Sequence, residues 1–112
     1  MNPKDRVELV GRLGGVLEQL EGETISIQEM ISHDYESRGF DRHCTIESIS
    51  QMRVEKVNWQ MSGGHFYLNG ESARYGISTT NIYSLEAKAN EICIIEKYES
   101  KTARCTRIKP IV

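Results

Sequence analysis

Apolar side chains fall at Val7, Val10, Leu13, Leu17 and Leu20, and Leu9 and Val16 widen the stripe they form. Spacings of three and four residues place such a set on one face of an α-helix. Asn2-Pro3 with Asp5 reads as its start: a capping side chain, a proline at the first helical position and an acid in the first turn. Gly22 reads as its stop. The pattern therefore predicts an N-terminal helix within residues 1–22. Gly11, Gly14 and Gly15 oppose it, since a glycine inside a helix costs up to about 1 kcal/mol relative to alanine. A hairpin turning at Gly14-Gly15 is the competing prediction for residues 3–21. In the helix, Gly11 and Gly15 share a face and admit a second backbone, either the sheet's or that of a helix across a subunit interface.

The period then changes. Glu23 to Gln28 alternates polar and apolar, the mark of a half-buried strand, and Met30 and Ile31 extend it. From Cys44 the alternation returns through Ile46, Ile49, Met52, Val54, Val57 and Trp59, and the uneven spacing around Ile49 predicts a bulge near Ser48 to Gln51. His65-Phe66-Tyr67-Leu68 and Arg74-Tyr75-Gly76-Ile77 flank Asn69-Gly70, a pair that suits the positive φ of a two-residue hairpin turn. Strands at Ile82–Leu85, Ile92–Tyr98 and Ala103–Ile108 follow, and Pro110 belongs at an edge or an end.

With no second helix long enough for a parallel crossover, the sheet should be antiparallel. The expectation is an α+β chain of one domain, 1–112. An N-terminal helix would pack on an antiparallel β domain, 23–112, of about six or seven strands, arranged as a meander or a small barrel. Residues 44–109 would form one hydrogen-bonded β surface, and residues 32–43 a long polar loop.

Composition narrows the possibilities only slightly. The chain has 112 residues, 38% of them hydrophobic, which is ordinary for a globular fold with one core. Neither a membrane span nor a signal peptide is legible, and Cys44, Cys93 and Cys105 do not form the framework of a disulfide-rich secreted protein. A cytoplasmic protein with free thiols and no membrane contact is expected. The net charge of −2 is unevenly spread: nine basic and fifteen acidic side chains up to Glu96, then five basic residues (Lys97, Lys101, Arg104, Arg107 and Lys109) against Glu99. A general nucleic-acid binder carries a wider basic surface. The basic tail can instead pair with the acidic body.

No catalytic constellation is legible. His43-Cys44 lacks both an orienting group and an oxyanion hole, and no pair of ligands has the spacing of a zinc site. Cys93 and Cys105 read as small core residues, and Trp59 as a residue at the core rim beside Gly63-Gly64. Neither metal nor cofactor is expected. What remains is the loop, where Tyr35, Arg38, Phe40, Arg42 and His43 interleave aromatic rings with guanidinium groups, together with Arg74. Rings stack on apolar surfaces and guanidinium forks onto carboxylate or phosphate. These six residues are the expected contact surface of a non-enzymatic, self-associating homo-oligomer that binds a partner protein. The alternative is a binder of a small anionic ligand or nucleotide.

Overall fold

The computed structural model describes residues 2–40, 45–60, 63–99 and 101–111, and for residues 45–50 the backbone alone. It contains an N-terminal helix, α1 (Pro3–Glu18), and a single helical turn, α2 (Tyr35–Arg38). The strands are β1 (Thr24–Ser32), β2 (Thr45–Arg53), β3 (Lys56–Gln60), β4 (His65–Asn69), β5 (Arg74–Ser78), β6 (Ile82–Ala87), β7 (Ile92–Lys97) and β8 (Ala103–Pro110). They pair, all antiparallel, into a five-stranded sheet of order β2-β1-β8-β7-β6 and a three-stranded sheet of order β3-β4-β5.

The predicted helix forms, and the glycines do not break it. The Asn2 side chain accepts from the Asp5 amide at 2.9 Å, and Pro3 opens the first turn. Leu13, Leu17 and Leu20 bury on one side, which supplies far more than the glycines cost, at about 1.5–3 kcal/mol per buried aliphatic side chain. The helix ends at Glu18 rather than at Gly22, whose amide donates to the Val54 carbonyl instead of finishing a helical cap.

Three further expectations are corrected. The β surface is two sheets of eight strands in all, not one sheet of six or seven, because the run from Cys44 to Trp59 is divided. At Val54 the chain leaves β2, exchanges hydrogen bonds with Gly22 and Glu23, and enters β3 in the other sheet. The sheets are also not closed into a barrel. α1 lies against β3 and β6, one edge strand from each sheet, so a helix fills the seam that strand pairing would have closed. Finally, the β4–β5 hairpin forms, but Asn69 pairs with Arg74 and residues 70–73 make the connection, in place of a two-residue Asn-Gly turn. Gly70 serves close approach there: a Cβ would stand 2.9 Å from the Arg53 carbonyl oxygen. The expected bulge is present, with Ile25 opposite Met52 and Ile27 opposite Ile49, so β2 carries one extra residue.

Registers define an inner face on the large sheet. Across β1, β8 and β7, Ile27, Ile108 and Ile92 form one row, Glu29, Thr106 and Ile94 the next, and Ile31, Arg104 and Glu96 the third, with Ile25 opposite Pro110. One end of this face is aliphatic and joins Leu13, Leu17, Val54, Leu68 and Ile77 in the core. The other end is ionic. Arg104 donates to Glu96 from Nη2 at 2.6 Å and from Nε at 2.9 Å, reaches Glu29 from Nη1 at 3.3 Å, and donates to the Gly76 carbonyl at 2.9 Å. Glu96 is fully buried and also accepts from the Ser78 amide and the Tyr98 hydroxyl. Tyr75 donates to Glu29 and shares a hydrogen bond with Thr106. Burial raises both tyrosine hydroxyls above their ordinary pKa, with Glu96 adding to the effect at Tyr98.

Removing Arg104 should strand Glu96 as a buried, uncompensated carboxylate. Arg104→Ala is expected to lower unfolding free energy by about 3–5 kcal/mol in urea denaturation. Arg107→Ala, which loses only the surface pair with Glu91, should stay within about 1 kcal/mol of the parent.

Candidate functional site

A concavity among the described residues lies where α1 crosses the small sheet. It is an open groove of about 820 Å³ lined by Val7, Val10, Gly11, Gly14 and Gly15 of α1 and by Trp59 and Phe66 of β3 and β4, with Arg6, Glu18, Thr79 and Thr80 at its margins. Each part follows from local structure. The buried stripe of α1 turns Val7, Gly11 and Gly15 outward, and Val7 is left 72% exposed. Trp59 and Phe66 are directly opposed in the β3–β4 ladder and stack with ring centroids 5.8 Å apart. Phe66 is buried beneath, whereas Trp59 is 53% exposed and forms the wall. Two large apolar side chains, Val7 and Trp59, are thus left exposed on either side of a glycine-lined helix face.

The three glycines divide by function. A Cβ on Gly14 would lie 3.0 Å from Cζ of Phe66, so its absence lets the helix settle on the sheet. A Cβ on Gly11 or Gly15 would meet nothing within 4 Å. Those two bare positions are the floor of the groove. Of the two uses open to the glycine face, packing on the sheet therefore accounts for Gly14 alone.

The six residues expected to make the contact surface are not gathered into one place. Tyr35 and Phe40 pack with their rings tilted at 51° and centroids 5.1 Å apart, and Tyr35 and Tyr83 meet edge to face at 6.1 Å. The Lys97 ammonium sits 4.7 Å from the Tyr83 ring centroid and 5.7 Å from that of Tyr35, and pairs with Glu36 at 3.7 Å. The Tyr35 amide donates to the Lys101 carbonyl, so this part of the loop is fastened to the β7–β8 turn. Arg38 is exposed at the end of α2. Arg74 belongs to the small sheet, where its guanidinium covers Tyr67 at 3.6 Å. Arg42 and His43 lie outside the described residues. The groove residues that sequence reasoning passed over, Val7 and Phe66, carry no chemical label. Val7, expected within the apolar stripe of the helix, is instead exposed, and the only signal for Phe66 was its place in a strand beside a glycine turn.

Among the described residues no cluster of three or more His, Cys, Asp or Glu side chains can hold a metal ion, and no helix is long and apolar enough to cross a membrane. The basic tail meets acids of the body: Arg104 with Glu29 and Glu96, Arg107 with Glu91, Lys97 with Glu36.

The glycine assignments are separable by stability at concentrations where the chain is monomeric. Gly11→Ala and Gly15→Ala should each raise unfolding free energy by up to about 1 kcal/mol, the helix-propensity gain. Gly14→Ala should gain nothing or lose stability, because Phe66 must move. Equal gains at all three positions would contradict the close packing at Gly14. Comparison of the chain with protein-family models, with curated proteins and with solved structures finds no match in any of the three.

Proposed function

We propose that this chain is a non-enzymatic interaction module that self-associates through the α1 groove, the occupant being α1 of a second copy. The observation that carries this reading is the outward stripe of α1: Lys4, Val7, Gly11, Gly15 and Glu18, all exposed and centred on Gly11. A twofold axis at Gly11 sets two such helices antiparallel. Lys4 and Glu18 stand seven residues to either side, about 10.5 Å along the axis, so each Lys4 faces Glu18 of the other copy. Val7 and Gly15 stand four residues to either side, so each Val7 enters the bare position above the other Gly15. The pairing is isologous and closed, as a twofold dimer requires. Without side chains at the crossing point the two helices approach more closely than the usual 8–10 Å, and each Trp59 flanks the pair.

Several features favour a helix over a small ligand. The bare Gly11 and Gly15 positions leave room for a second backbone over the groove, and the exposed Lys4 and Glu18 lie where an antiparallel second α1 would pair them. A nucleotide site built from Tyr35, Arg38, Phe40, Arg42 and Arg74 finds no support in the placement of Arg74, whose guanidinium is taken up by Tyr67 on the other sheet. A partner protein remains part of the proposal, with the Tyr35–Phe40–Tyr83 surface as its contact.

Sedimentation velocity across a concentration series should show a monomer–dimer equilibrium that Val7→Glu and Gly11→Leu both shift to monomer. Lys4→Glu alone should weaken the dimer, and Lys4→Glu with Glu18→Lys should restore it. Two symmetric exposed pairs correspond to about a two- to thirty-fold change in the dimer constant. A monomer at every concentration, or a dimer indifferent to Val7→Glu, defeats the proposal. A nucleotide that raises the melting temperature would replace it with the ligand reading.

A further inference from the structure

The outer face of the large sheet, away from the core and from the helix groove, carries a pair of thiols. Cys93 on β7 lies opposite Arg107, and Cys105 on β8 lies opposite Ile95, so the two cysteines are diagonal neighbours on one face of adjacent strands. Their sulfur atoms are 3.2 Å apart. A disulfide needs about 2.05 Å, roughly one ångström closer. Both are free thiols in this structure.

The two sulfurs have different surroundings. Cys93 is half-buried and opens into a small hollow of about 150 Å³ whose other walls are Glu86, Lys88, Glu91 and Arg107. Cys105 is buried. Arg107 pairs with Glu91 at 3.5 Å and holds positive charge at the hollow. The Cys105 thiol donating to the Cys93 sulfur, with Arg107 assisting, draws the Cys93 pKa down to about 7, while the Cys105 pKa rises because its proton is held between the two sulfurs. The accessible sulfur is therefore the one that carries thiolate, the form that reacts.

We propose that Cys93 and Cys105 form a peroxide-reactive dithiol site, in which Cys93 is the attacking sulfur and Cys105 resolves the product into a disulfide between β7 and β8. In the first step the Cys93 thiolate attacks one oxygen of a hydroperoxide. The O–O bond breaks, and the departing hydroxide or alkoxide takes a proton to leave as water or alcohol. Cys93 is then a sulfenic acid. In the second step the Cys105 sulfur, having lost its proton, attacks the Cys93 sulfur; the S–O bond breaks and hydroxide leaves as water with that proton. Two thiols are oxidised by two electrons to one disulfide, and one hydroperoxide is reduced. The hollow admits so small an oxidant, and the buried Cys105 lies 3.2 Å from the sulfur that the oxidant reaches.

Treatment of the full chain with hydrogen peroxide, followed by intact mass measurement and peptide mapping, tests this. The expected product is a monomer lighter by two hydrogens with Cys93 and Cys105 cross-linked within one chain, reversed by dithiothreitol. Cys105→Ala should stop at the sulfenic acid, trapped on Cys93 by dimedone, and Cys93→Ser should leave Cys105 unoxidised. Should either variant fail to fold, the peptide map of the parent chain decides alone. Cys93 and Cys105 that stay fully alkylatable after peroxide, a Cys93 sulfinic acid without a cross-link, or a cross-link between chains would each overturn the proposal.

Discussion

Arg104 holds the two sheets in register. Its guanidinium touches carboxylates from β1 and β7 and a backbone carbonyl from β5, and Glu96 in turn accepts the Ser78 amide. Aliphatic contacts between sheets tolerate sliding, because they reward area and not direction. Hydrogen bonds from Arg104 and Glu96 to the backbone of β5 do not. Two carboxylates against one guanidinium leave negative charge in a dry place, which is supportable because Tyr75, Tyr98 and the Ser78 amide also donate to them. A buried ionic group of this kind adds little to stability over a packed apolar replacement. Its contribution here is position: it places β5, and through the β4 and β3 ladders it places Phe66 and Trp59.

From that placement the groove follows. With the small sheet set at one end by ions and at the other by the aliphatic core, its β3 edge stands across from β6, and α1 drops into the gap. The helix must then bury Leu13 and Leu17 inward and turn Gly11 and Gly15 outward. Gly14 sits at the boundary, against Phe66, while Gly11 and Gly15 face nothing. The residues that weaken the helix as a helix are therefore the ones that open its outer surface.

The outer face of the large sheet follows another rule. There Arg107 meets Glu91 and Lys97 meets Glu36, while Arg104 meets Glu29 and Glu96 on the inner face. The charge asymmetry of the sequence is thus largely consumed inside the monomer. Antiparallel pairing of β7 with β8 also brings Cys93 and Cys105 together on this face, although each had read in isolation as a small core residue.

Local pattern was enough to determine the elements. The helical stripe with its Asn2-Pro3 start, the alternation of β1, the β2 bulge, the β4–β5 hairpin and the α+β class could all be derived from it, because each depends on neighbours within a few residues. The division of the run after Cys44 into β2 and β3 could not, since it is made by hydrogen bonds from Gly22 and Glu23. Nor could the four-residue hairpin connection, which answers to the approach of Gly70 to the Arg53 carbonyl. The candidate site was legible only in parts: Gly11 and Gly15 as one helix face, and Trp59 as a rim residue, with nothing to say that they border the same groove. The 32–43 loop is chemically distinctive in its residue types, yet nothing local shows that Tyr35 packs beside Tyr83 and Lys97 of the large sheet. Side-chain type and spacing act over one or two turns of chain, so they settle what each segment becomes. Which segments meet is decided by long-range hydrogen bonds and shared burial, and only the tertiary structure contains those.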